Sequence, residues 1–347
     1  VIDARQEGDA PDPPAVLDVV GIGSPLVDVL AAAGEAEIAA AGLARGSMEL
    51  VDLARADAIY ARMGPTTEAS GGSAANTMVG VAALGGTAGY VGKVADDVLG
   101  RVFTHDIRAA GVEFEPVPSG SGPSGEALGT GRCLVLVSGD AERTMATHLG
   151  VATTIGPTDV PEALVSRARL VYLEGYLWDL PPAKEALRRA AHVAHLHDGS
   201  VALSLSDPFC VERHQREFLE LLLDDVDVLF GNEQEIIRLF GAPSLDAAVE
   251  AAEETGLLVA VTLGDRGSVV TTARGPVEVP AAPVDAVVDT TGAGDLYAAG
   301  FLFGLTHGAG PERCALLGAL CAGEVIGHLG ARPQADLREI AGRAGLL

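Results

Sequence analysis

The residues best suited to chemistry form the stretch Asp289-Thr290-Thr291-Gly292-Ala293-Gly294-Asp295, followed by the apolar run Leu296-Tyr297-Ala298-Ala299-Gly300-Phe301-Leu302. Val287 and Val288 in front of it read as the end of an apolar strand. The pattern is therefore a strand, a Gly-rich turn and a helix start. The first backbone N–H groups of a helix have no intrahelical acceptor, and glycines leave them uncovered. Such a terminus attracts a phosphate or a developing oxyanion, and the helix dipole adds to the attraction. Asp295, on the first turn, gains from the same dipole, so its pKa is expected to tend down. As a base it would then act through position beside a substrate hydroxyl more than through raised basicity. A plain Gly-turn with Asp as a helix-start residue fits these positions too. Other segments must decide.

A second group of polar residues lies near the start of the chain. Gly21-Ile22-Gly23-Ser24-Pro25-Leu26 looks at first like a dinucleotide fingerprint. It fails the test, because Leu26 takes the third glycine position and Pro25 interrupts the turn. Asp28 follows just beyond the strand, where open α/β sheets place ligands, and it reads equally well as a solvated turn acid. Ser70-Gly71-Gly72-Ser73 leads into a helix with Asn76 on its first turn and Ser73 as its expected cap. Farther on, Asn232 and Glu235 have the spacing of a helix cap with a first-turn acid.

Several chemistries are excluded by what is missing. The only Gly-Lys pair, Gly92-Lys93, is followed by Val94 and lacks the glycine of a Walker loop. Neither His-Arg-Asp nor Asp-Phe-Gly occurs, and no Gly-x-Ser-x-Gly elbow stands between a strand and a helix. His192, His195 and His197 are not on one helix face and read as a solvated helix end. Cys133, Cys210, Cys314 and Cys321 form no Cys-x-x-Cys pair and read as buried, reduced thiols of a cytoplasmic protein.

The elements that must position these residues alternate along most of the chain. Strands are expected at 16–22, 88–93, 170–174, 201–206, 226–230, 258–263 and 268–272. Helices are expected at 74–84, 97–110, 181–195, 232–240, 296–306 and 312–327. That order implies an α/β fold with a doubly wound, mostly parallel sheet covered by helices on both faces. Two segments break the alternation: a flap over 29–57, and a Gly/Ser-rich tract with a β-hairpin over 113–150. Together they read as a small β-sheet lid. The core is thus 16–28, 58–112 and 151–347, after an acidic, Pro-rich leader over residues 1–15 that reads as disordered.

The formal charge of −25 argues against nucleic acid or a membrane surface as partner, since both need a basic face. A small anionic ligand would have to be held by local groups acting against that field. No run of eighteen apolar residues suggests a membrane span.

Four motifs in order carry a resemblance. They are Gly71-Gly72-Ser73-Ala74-Ala75-Asn76 running through to Gly92-Lys93-Val94-Ala95-Asp96-Asp97-Val98-Leu99-Gly100, Asn232-Glu233-Gln234-Glu235, Thr262-Leu263-Gly264-Asp265-Arg266-Gly267, and Asp289 to Asp295. The chain resembles the PfkB family of carbohydrate and nucleoside kinases from about Val16 to Pro333. The resemblance implies a ribokinase-like fold, ATP with Mg²⁺, and a nucleoside or sugar as acceptor. It implies Asp295 as general base and Gly292, Ala293 and Gly294 as an anion hole. It implies Asn232 and Glu235 near Mg²⁺ and the phosphates through water, with Thr262, Gly264 and Gly267 bordering the nucleotide. Asp289, Thr291 and the Gly330 carbonyl resemble a monovalent-cation site, with K⁺ as the ion. Asp28, Gly72 and Asn76 match positions that hold vicinal hydroxyls, with Ser24 and Gly71 beside them. Arg143, in the returning lid strand, would reach the phosphates on closure.

Within the family, Ser204-Leu205-Ser206-Asp207-Pro208-Phe209 and Val226-Asp227-Val228-Leu229-Phe230-Gly231-Asn232-Glu233 resemble the adenosine kinase branch. The motif Gly23-Ser24-Pro25-Leu26-Val27-Asp28 does too, but has Ser24 where that branch has Asn. The expected activity is phosphorylation of the 5′-hydroxyl of a purine nucleoside. The alternatives are a sugar kinase of ribokinase or fructokinase type, and an inactive nucleotide-binding regulator. Monomer and homodimer both fit.

Overall fold

The computed structural model describes residues 15–116, 125, 128–139 and 143–347. The expected leader lies outside these residues except for Ala15, as do most of the Gly/Ser-rich tract and part of the hairpin turn.

Fourteen strands among the described residues form two sheets. In chain order they are β1 (Leu17–Ile22), β2 (Leu26–Ala32), β3 (Met48–Leu50), β4 (Thr67–Gly71), β5 (Ala88–Val91), β6 (Val112–Phe114), β7 (Gly131–Val137), β8 (Arg143–His148), β9 (Ala168–Glu174), β10 (Ser200–Ser204), β11 (Val228–Asn232), β12 (Leu258–Thr262), β13 (Ser268–Val270) and β14 (Val277–Val279). The large sheet runs β14-β13-β12-β11-β10-β9-β1-β5-β6 and is parallel except where β13 pairs with β12 and β14. The small sheet runs β3-β8-β7-β2-β4. This is the expected ribokinase-like architecture.

The interior strands of the large sheet bury both faces, which is why these segments read as apolar runs, while Glu113 in the edge strand β6 and Glu278 in the edge strand β14 are exposed. In β1, Val19 joins a core with the helices Ser73–Ala83, Ala293–Thr306 and Pro311–Val325, while Val20 and Ile22 join one with Pro181–Leu196 and Pro208–Asp224. One face of the small sheet packs on helices. There Val29, Leu134, Leu136 and Ala146 pack on Ile38, Ala56 and Ile59 of the helices Glu35–Ala40 and Leu53–Tyr60. The alternate residues, Asp28 and Arg143 among them, point away from those helices.

The structure departs from the sequence-based expectation in three places. The small sheet exceeds the segments 29–57 and 113–150: β2 begins at Leu26, and β4 also belongs to it. The ladder from Leu26↔Gly131 to Ala32↔Val137 is unbroken, so a boundary at Asp28 would cut paired backbone. Conversely, β6 joins the large sheet. Val287 and Val288 form no strand. They are 60% and 38% exposed, and the amides of Val288 and Asp289 donate to the Ile326 carbonyl instead. Third, Ser73 is not a cap. Gly72 holds that position at φ 95°, where a Cβ would meet the Ser24 carbonyl oxygen at 2.3 Å.

Candidate active site

The large sheet changes winding direction between β1 and β9, and in open α/β sheets the crevice beyond such a point takes the ligand. Ser24, just past the end of β1, and Glu174, the last residue of β9, stand there and are joined. The Ser24 amide donates to Glu174 Oε1 at 3.3 Å, and the Ala74 amide donates to Oε2 at 2.9 Å. This bridge fixes the start of the helix Ser73–Ala83.

From that helix, two side chains reach Asp295. Ser73 Oγ donates to Oδ1 at 2.7 Å and Asn76 Nδ2 to Oδ2 at 3.0 Å. Part of Asp295 meets solvent, but its carboxyl is enclosed by protein, and this desolvation pushes its pKa up. The hydrogen bonds from Asn76 and Ser73 pull the other way and do not win. The downward shift expected from the helix dipole is therefore reversed. Removing a carboxylate from water outweighs a partial charge within one turn.

The turn before Asp295 is tied down by Asp289. Its Oδ1 accepts from the Thr291 amide at 3.0 Å and its Oδ2 from the Gly330 amide at 2.9 Å, while the Arg143 guanidinium pairs with Oδ2. Gly292 caps the helix Ala293–Thr306 at φ 79°, and a Cβ there would meet the Ala331 backbone at 2.8 Å. Of the three residues expected to offer amides to an anion, Ala293 already donates to the Thr290 carbonyl at 3.2 Å. Among the described residues the amides of Gly294 and Asp295 have no acceptor, and nothing stands within 4 Å of Gly294 on its Cβ side. The opening for an anion is there.

Arg143 carries the small sheet to this turn. It balances the charge of Asp289 from within the chain, so the monovalent cation expected at Asp289, Thr291 and Gly330 has no charge left to balance there. Those residues do not form a fitting cation cage as they stand. Asp28, on the face of the small sheet opposite its helices, has its pKa pushed up to about 6 by burial; Arg143 and Arg332 act against that, while Asp295 and Asp289 add to it. Gly71 pairs with Leu26 and so places β4 beside Asp28.

The expected nucleotide side lies at the ends of two neighbouring parallel strands, where Asn232 of β11 pairs with Thr262 of β12. Asn232 and Glu235 form a reciprocal cap. The Glu235 amide donates to Asn232 Oδ1 at 3.0 Å, and the Asn232 amide and Nδ2 donate to the Glu235 carboxylate at 2.9 and 2.6 Å. Glu235 is buried, and its pKa is pushed up to about 7. Gly264 and Gly267 bound a short turn closed by the Leu263 amide on the Gly267 carbonyl at 2.8 Å.

The family model for pfkB family carbohydrate kinases matches residues 36–337. The chain belongs to the PfkB family of kinases. Its structure is similar to that of adenosine kinase from Sinorhizobium meliloti, with a TM-score of 0.88 and 48% identity over 95% of this chain and 100% of that one. A probable sugar kinase from Rhizobium etli gives a TM-score of 0.89 and 43% identity over 96% and 100%. The adenosine kinase of Saccharomyces cerevisiae is 30% identical over 90% of this chain and 95% of its own length.

As a PfkB kinase, the chain uses ATP to phosphorylate a small-molecule sugar or nucleoside. None of its described helices is long and apolar enough to cross a membrane. Reading the sequence for chemistry missed Glu174, whose pKa burial pushes up to about 7. Its signal was available: it ends an expected strand at the edge where such sheets bind ligands. The bond from Ser73 to Asp295 was also missed, since a hydroxyl assigned to a cap leaves no reason to look elsewhere.

Proposed function

We propose that this PfkB kinase transfers the γ-phosphoryl group of ATP to the 5′-hydroxyl of a purine nucleoside, adenosine first. The observation that carries the transfer chemistry is the placement of Asp295. It stands on the first turn of a helix whose Gly294 and Asp295 amides lack acceptors among the described residues, and it is held by Ser73 and Asn76. The acceptor oxygen attacks the γ-phosphorus and gives its proton to Asp295; the bond from the γ-phosphorus to the β,γ-bridging oxygen breaks, and ADP leaves. Catalysis then rests on alignment and charge stabilisation, with the raised pKa making Asp295 a better proton acceptor.

Asp28 and Asn76 clamp the furanose hydroxyls, the acid accepting and the amide able to do both. Thr262, Gly264 and Gly267 border the nucleotide. No group of three His, Cys, Asp or Glu side chains able to hold a metal exists among the described residues. That suits Mg²⁺, which is bound chiefly through phosphates and water; Asn232 and Glu235 would hold its water. When bound, Mg²⁺ would neutralise charge on the phosphates.

The similarity over nearly two whole chains to an adenosine kinase supports a nucleoside. The similarity to a probable sugar kinase supports ribose or fructose as the second reading. ATP consumption measured against a panel of nucleosides and sugars separates them. Fastest turnover with adenosine supports the first, fastest turnover with a sugar overturns it, and binding without turnover marks a regulator.

A further inference from the structure

Buried polar atoms without partners are rare and costly, so each calls for an explanation. Three side chains with such atoms gather at the acceptor end of the site: Asn76 through Oδ1, Tyr90 through its hydroxyl, and Arg332 through Nε and Nη2. Asn76 is bonded on its other side to Asp295. The carboxylates facing the Arg332 guanidinium are those of Asp106 and Asp28, with the neutral Tyr90 phenol beside them. The charges facing Asp28 are those of Arg143, Arg332, Asp295 and Asp289. Asn76 thus brings its unpaired atom to Asp295, and Arg332 and Tyr90 stand together near Asp28, which in turn feels the charge of Asp295.

Arg332 is held in place by its neighbours along the chain. The Gly330 amide donates to Asp289, and Ala331 lies against Gly292. On the other side the amides of Gln334 and Ala335 donate to Glu324 Oε1 at 3.0 and 2.8 Å. The loop is therefore anchored to the catalytic turn before Arg332 and to the half-buried Glu324 carboxylate after it. A guanidinium is always charged and has donors only. Here two of its nitrogens are out of solvent with no acceptor among the described residues. A sugar hydroxyl supplies what is missing, because it can donate to a carboxylate and accept from a guanidinium at once.

We propose that Arg332 is an acceptor-binding residue whose Nε and Nη2 donate to a hydroxyl of the furanose held by Asp28 and Asn76, completing a three-residue diol clamp. The inference rests on the reading of this site as the acceptor pocket. It adds a residue that the four motifs do not contain.

The test is steady-state kinetics of wild type, Arg332→Met and Arg332→Lys with whichever of adenosine, ribose and fructose the wild type phosphorylates fastest. The 2-deoxy and 3-deoxy analogues of that acceptor are run in parallel. In Arg332→Met the acceptor KM is expected to rise about tenfold or more, with the ATP KM within about twofold. Wild-type preference for the hydroxylated acceptor over at least one deoxy analogue should collapse, and Lys should restore part of it. An unchanged acceptor KM, or discrimination kept in both variants, overturns the proposal. So does a KM change shared equally by ATP, which would mark Arg332 as a support of the fold. A fastest acceptor other than adenosine overturns the purine reading alone, and the same variants then decide Arg332 on that sugar.

Discussion

Ser73 Oγ donates to Asp295 Oδ1 at 2.7 Å across 222 positions of sequence, joining the first turns of two helices that share one core. The bond favours the ionised carboxyl, against a burial that favours the neutral one. Asp295 accepts a proton only when ionised, so activity is lost as pH falls through its raised pKa. Ser73→Ala removes one of the two opposing bonds and should raise that pKa further. The acid limb of kcat/KM is expected to move up by roughly one pH unit, with activity at pH 9 little changed. A limb that stays in place would show that the hydroxyl only supports the fold.

Asp295→Asn keeps the shape of the side chain and removes its capacity to take a proton. Turnover should fall by roughly a hundredfold or more while the KM for ATP changes little. Near-normal turnover would sink the assignment of Asp295 as the base.

The general plan of this site was legible because its parts are local. A Gly-rich turn before an apolar helix, a cap of Asn232 with Glu235, and acids at strand ends each announce themselves within about seven residues. The fold followed from alternation and from runs apolar on both faces. What the sequence did not disclose depends on distant segments meeting. The pKa of Asp295 follows dipole logic when only its own helix is known, and reverses once the enclosing atoms are counted. Arg143 looks like an ordinary strand charge until β8 brings it to Asp289. The boundary drawn at Asp28 failed for the same reason: the partner that extends β2 is β7, about a hundred residues away.

Gly292 should tolerate no side chain. At φ 79° an alanine is strained, and its Cβ would meet Ala331 at 2.8 Å. Gly292→Ala is expected to lower stability by about 1–3 kcal/mol in chemical unfolding. It should also cut turnover more than that loss explains, because the amides of Gly294 and Asp295 shift with the turn. Gly294→Ala, where nothing stands within 4 Å, should fold as well as wild type and lose activity only through its effect on the bound phosphate. Equal stability losses in the two variants would contradict this account.

Glu174 offers a test through stability instead of rate. Burial raises its pKa from 4.5 to about 7, although the amides of Ala74 and Ser24 favour the ionised form. The folded chain therefore binds a proton more tightly at this site than the unfolded chain does. Its contribution is full below pH 4.5 and is lost as pH rises through 7, a change of about 3 kcal/mol. Glu174→Gln has no proton to lose there, and its amide oxygen can still accept from one of the two backbone donors. Urea unfolding at pH 5 and pH 8 should show wild type losing about 2.5 kcal/mol more than the variant between the two, since at pH 5 the unfolded side chain is already mostly ionised. Titration of Asp28 and Glu235, common to both proteins, cancels in that difference. Equal losses in the two proteins would mean that Glu174 stays ionised in the crevice, and a charge there would repel the ionised Asp295.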